Sequence, residues 1–256
     1  MIKLSKRLQG VANLVTEGSY IADVGTDHAY VPIFLCQKNI ITGAIAMDVS
    51  EGPLGVAGGN IRNYGLEKQI ELRLSDGFAA LTPGEVEVAI LAGMGGAIMI
   101  KILSSHMNVT TSLQACVLQP LSGLYKIREF LISNGFMIVK EDLVKEKDNF
   151  YPMVKVIPPK KEGNKNDTTD GISKDSIDSK VNDSKEEWSK VELAYGKLLL
   201  EGKHPILKEF LERELIAKTA ILEHVETKAR VESKKRIEAL QDEIDLVRKG
   251  ISYYAV

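Results

Sequence analysis

The first half of the chain alternates between short apolar runs and amphipathic segments. The apolar runs are rich in Val, Ile and Ala, and they predict five β-strands, near 19–24, 43–48, 69–74, 86–92 and 115–119. The amphipathic segments predict five helices, near 4–16, 29–38, 53–64, 96–106 and 121–134. Strands that alternate with helices in this way indicate an α/β fold, in which a parallel sheet carries helices on both faces.

Two further apolar runs, FMIVKEDLV and FYPMVKVIP, are separated only by the charged segment KEKDN. Such a short connection between two strand-like runs predicts an antiparallel hairpin, because a parallel pair needs a much longer crossover. We therefore predict a Rossmann-like sheet of seven strands, mostly parallel, that ends in an antiparallel hairpin.

The composition changes after Pro158 and Pro159. Residues 160–185 are almost entirely polar and predict a flexible linker, because they bury too little apolar surface to offset the entropy of ordering. Beyond the linker, two apolar stripes at helical spacing predict two long helices in an antiparallel coiled-coil hairpin. The predicted division is a sheet domain over 1–157, a linker over 158–185 and a helical coiled-coil domain over 186–256.

Composition and charge narrow the class of protein. The chain has 256 residues, 44% of them hydrophobic, with a net charge of −2, which is ordinary for a globular protein. Its longest apolar runs are too short and too rich in glycine for a membrane span, and the N-terminus shows no export signal. Cys36 and Cys116 lie in apolar contexts and are expected to be buried free thiols in a reducing cytoplasm.

No Cys or His spacing indicates a metal site, so no metal is predicted. No membrane partner is predicted either. A coiled coil can close within one chain or between two, so the sequence leaves the oligomeric state open and slightly favours a monomer.

The loop after the first predicted strand, ADVGTDHAY, carries the first indication of chemistry. It contains Gly25 followed by Asp27 and His28, where a dinucleotide-binding loop has the pattern G-x-G-x-x-G. A carboxylate at this position would repel a pyrophosphate but would suit a ligand with positive charge and hydroxyl groups. S-adenosyl-L-methionine (SAM) is such a ligand, since it has a sulfonium, an ammonium, a ribose and no phosphate.

The ends of the next three predicted strands agree with a SAM site. Asp48 is placed to accept hydrogen bonds from ribose hydroxyls, Asp76 precedes Gly77 and is placed to accept from the adenine amine, and residues 92–96 form a glycine-rich loop. The predicted SAM-binding residues are Asp23, Gly25, Asp27, His28, Asp48, Asp76, Gly77, Gly93 and Met94. As alternatives, Asp23 could fix its turn by accepting backbone amides, and Asp48 and Asp76 could cap loops.

A family resemblance rests on six segments of the chain. They are KLSKRLQGVA, ADVGTDHAYVP, SEGPL, LAGMGGA, LQP and IREFL. Together they resemble the bacterial tRNA adenine-N1 methyltransferase family, which methylates N1 of adenine 22 in tRNA. The resemblance is close over residues 1–157 and looser over the C-terminal helices, which form a coiled-coil domain in that family. It implies a class I methyltransferase sheet, SAM as the donor and tRNA as the acceptor.

The implied reaction needs alignment more than a strong base, because N1 of neutral adenine carries a lone pair and loses no proton. We hypothesise that Asp27 is catalytic, orienting the adenine or the cofactor beside it and stabilising the positive charge of the product. The alternative is a helix N-cap. The adenine must leave its stack, and Tyr30, Gly95, Gln119 and Pro120 are expected to bind it. Tyr30 could instead pack against the sheet.

Contact with tRNA also requires cations. Lys3, Lys6 and Arg7 at the N-terminus, and Arg62 and Arg128 beside the sheet, are candidates. A C-terminal cluster is a further candidate and consists of Lys228, Arg230, Lys234, Lys235 and Arg236. The alternative for each is a solvated helix face.

Three other functions stay open at this point. The first is a SAM-dependent methyltransferase that acts on another RNA position or on a non-RNA acceptor. The second is a non-catalytic SAM-binding protein that interacts through its coiled coil. The third, a nicotinamide-dependent oxidoreductase, is opposed by the glycine pattern and by Asp27.

Overall fold

A computed structural model of the chain describes residues 1–160, 187–227 and 234–255. Most of the predicted linker, together with Lys228 and Arg230, lies outside the described residues.

The described residues contain one sheet of seven strands. In chain order the strands are β1 (Tyr20–Val24), β2 (Gly43–Asp48), β3 (Ile70–Leu74), β4 (Val88–Gly95), β5 (Ala115–Ser122), β6 (Met137–Glu146) and β7 (Asn149–Ile157). Their order across the sheet is β3-β2-β1-β4-β5-β7-β6. The first five strands pair in parallel, and β7 is antiparallel to both β5 and β6. The predicted sheet and its terminal hairpin are confirmed.

Strands β4 and β5 extend further than the apolar pattern predicts. Gly93, Met94 and Gly95 belong to β4, where Met94 pairs with Pro120 across shifts in register. The prediction of a bare loop over 92–96 is therefore wrong. The glycines in this segment let its backbone pair closely with β5 although the register between the two strands is irregular.

Ten helices are described. They are α1 (Lys6–Asn13), α2 (Tyr30–Gln37), α3 (Glu51–Asn63), α4 (Gly96–Ser105), α5 (Met107–Thr110), α6 (Leu124–Ser133), α7 (Lys190–Tyr195), α8 (Lys197–Glu201), α9 (Pro205–Thr227) and α10 (Lys234–Ser252). The five helices predicted over residues 4–134 all form, and α5 is an addition within this range. No helix in the described ranges is long and apolar enough to cross a membrane.

Two apolar clusters cover the two faces of the sheet. Along β1, Ile21 belongs to one cluster, and Ala22 and Val24 belong to the other. Both faces are thus buried, which explains why the strands read as continuous apolar runs. Cys36 and Cys116 are buried and free, as predicted.

The C-terminal helices form a third apolar cluster together with Leu143 of β6. Within α9 and α10, Leu211, Ile244 and Val247 are buried, whereas Leu222 and Ile237 are only half-buried. The two helices contact each other. A helical C-terminal region is therefore present, and its coiled-coil character stays a prediction.

A buried ion pair joins the helical region to the sheet. Arg128 Nε lies 2.8 Å from Glu141 Oε1, and both side chains are fully buried. Arg128 Nη1 also donates to the carbonyl oxygens of Leu193 and Ala194 at 3.0 Å, and Leu198 N donates to Glu141 Oε2. The prediction that Arg128 contacts RNA is wrong, because its guanidinium is enclosed between α6, β6 and α7.

Candidate active site

The carboxyl ends of the parallel strands meet at one edge of the sheet. Asp23 lies near the end of β1, Asp48 ends β2, Gly93 lies near the end of β4 and Gln119 near the end of β5. Ligands of open α/β sheets bind outside this edge. The topology therefore gathers the strand-end residues that the sequence singles out.

The loop after β1 is shaped by its single glycine. Gly25 has a φ of +78°, and a Cβ atom on it would lie 3.0 Å from Met94 Cε. The N–H groups of Gly25 and Thr26 both donate to the carbonyl oxygen of Met47, at 2.8 and 2.9 Å. The loop is thus closed against β2, and the glycine supplies the backbone conformation and the space that this requires.

Asp23 is a buried carboxylate at the base of this loop, with 7% of its surface exposed. It accepts a hydrogen bond of 2.5 Å from Thr26 Oγ1. Burial raises the pKa of Asp23 from 3.8 to about 6; the Thr26 hydrogen bond opposes this rise, and the negative charge of Asp48 adds to it. The sequence-based alternative was a carboxylate that accepts from backbone amides. In the structure, the carboxylate of Asp23 accepts from the Thr26 side chain instead.

Asp27 and His28 lie at the mouth of the loop. Asp27 Oδ2 is 3.3 Å from His28 Nε2, and 73% of the Asp27 side chain is exposed. The His28 ring stacks on Tyr30, with centroids 4.8 Å apart. Helix α2 begins after Ala29, which makes no side-chain cap. Asp27 is therefore not the helix N-cap, and its carboxylate is open to a ligand.

Arg7 reaches this edge from α1. Its Nη1 donates to Gln119 Oε1 at 2.8 Å, and its guanidinium carbon lies 5.7 Å from the centroid of the Tyr151 ring. A Cβ atom at Gly93 would lie 3.2 Å from the same Nη1. Arg7 is thus held over the end of β4, so the alternative of a solvated helix face does not apply to it.

A cavity of about 320 Å³ lies between these groups. Predicted residues on its wall are Asp23, Gly25, Asp27, His28, Tyr30, Gly93 and Arg7. Two carboxylates, a histidine and an arginine at one small cavity would suit a ligand that carries both signs of charge.

Other predicted residues stand apart from this cavity. Asp48 accepts from Ser50 N at 2.9 Å, which agrees with the loop-capping alternative, and Asp76 lies 3.5 Å from Lys101 Nζ. Gly77, Met94, Gly95, Gln119 and Pro120 do not line it. Lys6 is exposed on α1, and Lys234 and Lys235 are exposed at the start of α10.

A second, larger cavity of about 680 Å³ lies between the end of β5, the hairpin and the C-terminal helices. Pro120 lines it with five aromatic rings, those of Tyr125, Phe150, Tyr151, Tyr195 and Phe210. Glu214, Lys218 and Glu243 are its charged groups. Because Arg7 contacts Tyr151, the walls of the two cavities touch there.

Two side chains that shape the loop after β1 were not predicted from the sequence: one lies in the loop itself and the other lies on the helix that supports it. Thr26 is nearly fully buried and is the hydrogen-bond donor to Asp23. Asn60 of α3 donates to the carbonyl oxygen of His28 at 3.0 Å and ties the loop to the neighbouring helix. The position of Thr26 within DVGT could have indicated the first contact, whereas nothing local indicates the second.

Comparison with known proteins adds an independent finding. The model of a family described as "Methyltransferase domain" matches residues 4–154, more than half of the chain. The chain belongs to this methyltransferase family.

Individual relatives are similar to this chain over nearly its whole length. The methyltransferase chain is 28% identical to the tRNA (adenine(22)-N(1))-methyltransferase of Bacillus subtilis over 253 residues, 98% of each chain. The crystal structure of the B. subtilis m1A22 tRNA methyltransferase TrmK superposes with a TM-score of 0.78 at 27% identity, covering 98% of this chain and 100% of that one. TrmK of M. capricolum, solved with S-adenosyl-homocysteine, gives a TM-score of 0.74 at 25% identity over 98% of both chains.

Proposed function

We propose that this protein is a SAM-dependent methyltransferase that methylates N1 of adenine 22 in tRNA. The observation that carries the proposal is the charged cavity at the end of β1, where Asp23 and Asp27 face Arg7. The likeness to the B. subtilis enzyme, which spans 98% of both chains, supports the choice of acceptor.

The cavity fits the proposed donor in its charges. Asp23 is buried and makes no ion pair among the described residues, so a cationic ligand would favour its ionised form. Gly25 and Gly93 leave the backbone bare at the wall, and the exposed Asp27 carboxylate adds a second negative charge. SAM, when bound, supplies the methyl group as a sulfonium. Asp48, which ends the neighbouring strand, is proposed to hold the ribose.

The protein's own task is alignment of the adenine. N1 has a lone pair and needs no base, so a carboxylate contributes by orienting the ring and by stabilising the positive charge of the product. Asp27 is proposed for this role because it is exposed at the cavity mouth and is not a helix cap. Tyr30, stacked on His28, offers an aromatic face beside it.

The proposal extends to the organisation of the molecule. Residues 1–157 form the methyltransferase domain, 158–185 connect it, and 186–256 form a helical domain that grips tRNA away from the target base. The proposed phosphate contacts are Lys6 on α1 of the methyltransferase domain and Lys234 and Lys235 on α10 of the helical domain. The proposed location is the cytoplasm, and the oligomeric state stays open, with a monomer slightly favoured.

Mass spectrometry of nucleosides from unmodified tRNA, treated with enzyme and SAM, tests the function directly. We expect 1-methyladenosine, and we expect it to disappear when position 22 of the tRNA is changed to another base. Methylation that survives this change would indicate another RNA position. Donor binding without methylation of any tRNA would favour the non-catalytic alternative.

Asp27→Asn tests the role of the carboxylate. We expect kcat to fall by about a hundredfold, the usual loss when one charge-stabilising group is removed, with the melting temperature unchanged. Asp148→Asn, at an exposed acid between β6 and β7, is the matched control and should keep full turnover. Turnover of Asp27→Asn close to that of the control would contradict the role.

A further inference from the structure

Leu121 is a large apolar side chain that is exposed at the carboxyl edge of the sheet. It lies on β5 and is 59% exposed, whereas Leu118 and Gln119, just before it on the same strand, are fully buried. Single exposed apolar side chains are common on protein surfaces, so exposure alone assigns no role to Leu121. What distinguishes this leucine is its place in the strand.

Leu121 lies at an irregularity in the pairing of β4 with β5. Two consecutive residues of β4, Met94 and Gly95, pair with Pro120 and Ser122, so Leu121 is the extra residue on β5. This arrangement is a β-bulge, and bulges beside active sites serve to re-aim a side chain. The bulge accounts for the abrupt change from buried to exposed side chains at Leu121.

The backbone on both sides of Leu121 is held in place. Before it, Pro120 is buried and has the fixed φ of proline, and Gln119 Nε2 donates to the Pro120 carbonyl oxygen at 3.1 Å. After it, the carbonyl oxygen of Ser122 lies so close to Gly96 that a Cβ atom there would be 2.7 Å away. Leu121 is thus an apolar side chain on a rigid support, so little conformational entropy is lost when it enters a partner.

Leu121 stands between the two cavities at this edge. It lines the larger one, of about 680 Å³. Two residues before it, Gln119 accepts a hydrogen bond of 2.8 Å from Arg7, which lines the smaller, charged cavity. The smaller cavity is the proposed donor site. The nucleotides on either side of an adenine that enters this site would therefore lie close to Leu121.

We propose that Leu121 is a wedge that enters the RNA base stack at the place that the target adenine leaves. This inference rests on the proposed function, which requires an adenine outside its stack. Leucine is one of the apolar residues that nucleic-acid-binding proteins insert between bases. Contact of the Leu121 side chain with the two neighbouring bases offsets part of the cost of unstacking, and it keeps the adenine from returning to its place.

Leu121→Ala, assayed on two RNA substrates, tests the proposal. One is the natural tRNA, and the other is the same tRNA with abasic nucleotides on both sides of adenine 22, so that this adenine has no stacking neighbours. On natural tRNA we expect kcat/KM to fall by about ten- to a hundredfold, because alanine is too short to fill the vacated place. On the abasic tRNA the variant should match the wild type within about twofold.

Two further variants separate a wedge from a general apolar contact. Met137→Ala removes a side chain that is equally exposed, at 61%, and that lies where β6 begins, at the opposite edge of the sheet. It should change neither activity. Leu121→Met keeps an apolar side chain of similar volume and should recover most of the loss. Calorimetric titration with SAM should give the same affinity for all variants and the wild type.

Fluorescence of 2-aminopurine in place of adenine 22 provides a second measurement, because its emission rises when the base leaves its stack. Wild-type protein and Leu121→Met should raise the emission of the labelled tRNA, and Leu121→Ala should raise it much less. This measurement needs no methyl transfer, so it reports on the wedge separately from the reaction.

The possible results distinguish failure of the wedge from failure of the proposed function. Equal losses of Leu121→Ala on both substrates, or full activity and full emission on natural tRNA, would overturn the wedge. Weaker SAM binding by Leu121→Ala would also overturn it, since the residue would then support the donor site. Wild-type protein that methylates neither substrate would overturn the proposed function itself.

Discussion

The two cavities at the carboxyl edge of the sheet differ in how they are built. The smaller one, about 320 Å³, takes most of its wall from residues 23–31 and is charged. The larger one, about 680 Å³, takes its wall from segments between Pro120 and Leu246 and is mainly aromatic and aliphatic. A cavity made by one loop is determined by local sequence, whereas a cavity made by packing depends on every element around it.

This difference predicts that the two cavities respond to different substitutions. Changes in the buried ion pair should disturb the larger cavity and leave donor binding intact. Changes in the loop after β1 should weaken donor binding and leave the larger cavity intact. The four variants that follow test this separation, in order of the expected change in the free energy of unfolding.

Arg128→Met should have the largest effect. It leaves Glu141 buried without its partner, and it removes the two hydrogen bonds to α7. We expect a loss of about 3–5 kcal/mol in chemical unfolding, and unchanged SAM affinity in the folded protein. The double variant Arg128→Met/Glu141→Met should recover most of this loss, because no charge stays buried. A parallel loss of SAM affinity would show that the two cavities are coupled.

Asp23→Asn should stabilise the unliganded protein. The pKa of Asp23 in the folded state, about 6, is above its ordinary 3.8, so the folded state holds this proton more tightly. The contribution of Asp23 to stability is therefore full below pH 3.8 and is lost as the pH rises through 6, a loss of about 3 kcal/mol. Asparagine has no such loss, because it keeps an acceptor for Thr26 and carries no charge.

The measurement is thermal unfolding of both proteins at pH 5 and pH 8, without ligand. Asp23→Asn should be the more stable protein at pH 8, and the difference should shrink at pH 5. Its SAM affinity at pH 8 should be lower than that of the wild type. An advantage that is equal at both pH values would show that ionisation of Asp23 is not its cause.

Gly93→Ala should cost about 1–2 kcal/mol, because Gly93 has a φ of +76° that an alanine adopts poorly. Its Cβ would also press on Arg7 Nη1, so SAM affinity should fall as well. Gly84→Ala is the matched control: Gly84 has a φ of +80° but open space around the new Cβ. Equal SAM affinities for the two variants would argue against contact between Gly93 and Arg7.

Lys234→Glu/Lys235→Glu should have the smallest effect on stability, below about 0.5 kcal/mol, because both side chains are exposed. It should leave SAM binding unchanged and weaken tRNA binding, with a smaller dependence on salt. Filter binding at several salt concentrations measures both quantities. Unchanged tRNA affinity would remove these lysines from the proposed RNA surface.

The sequence predicted most of the sheet, because periodicity and strand-end residues are local signals. The sequence alone was enough to place Asp23, Gly25 and Asp27 at one loop. Arg128 could not be placed, since its partner Glu141 lies on β6 and its other contacts come from α7. The same holds for Arg7, whose position depends on Gln119 and Tyr151, more than a hundred residues away.

Helix α1 packs directly against the hairpin, because Gly10 brings its backbone close to Met153 and Val144; a Cβ there would lie 2.8 Å from Met153 Sδ and 2.9 Å from Val144 Cγ2. During translation α1 leaves the ribosome before the strands it packs on, which are completed only at Ile157. Nascent chains arrested before that residue should therefore fail to retain a donor analogue, even though the loop after β1 has long been synthesised.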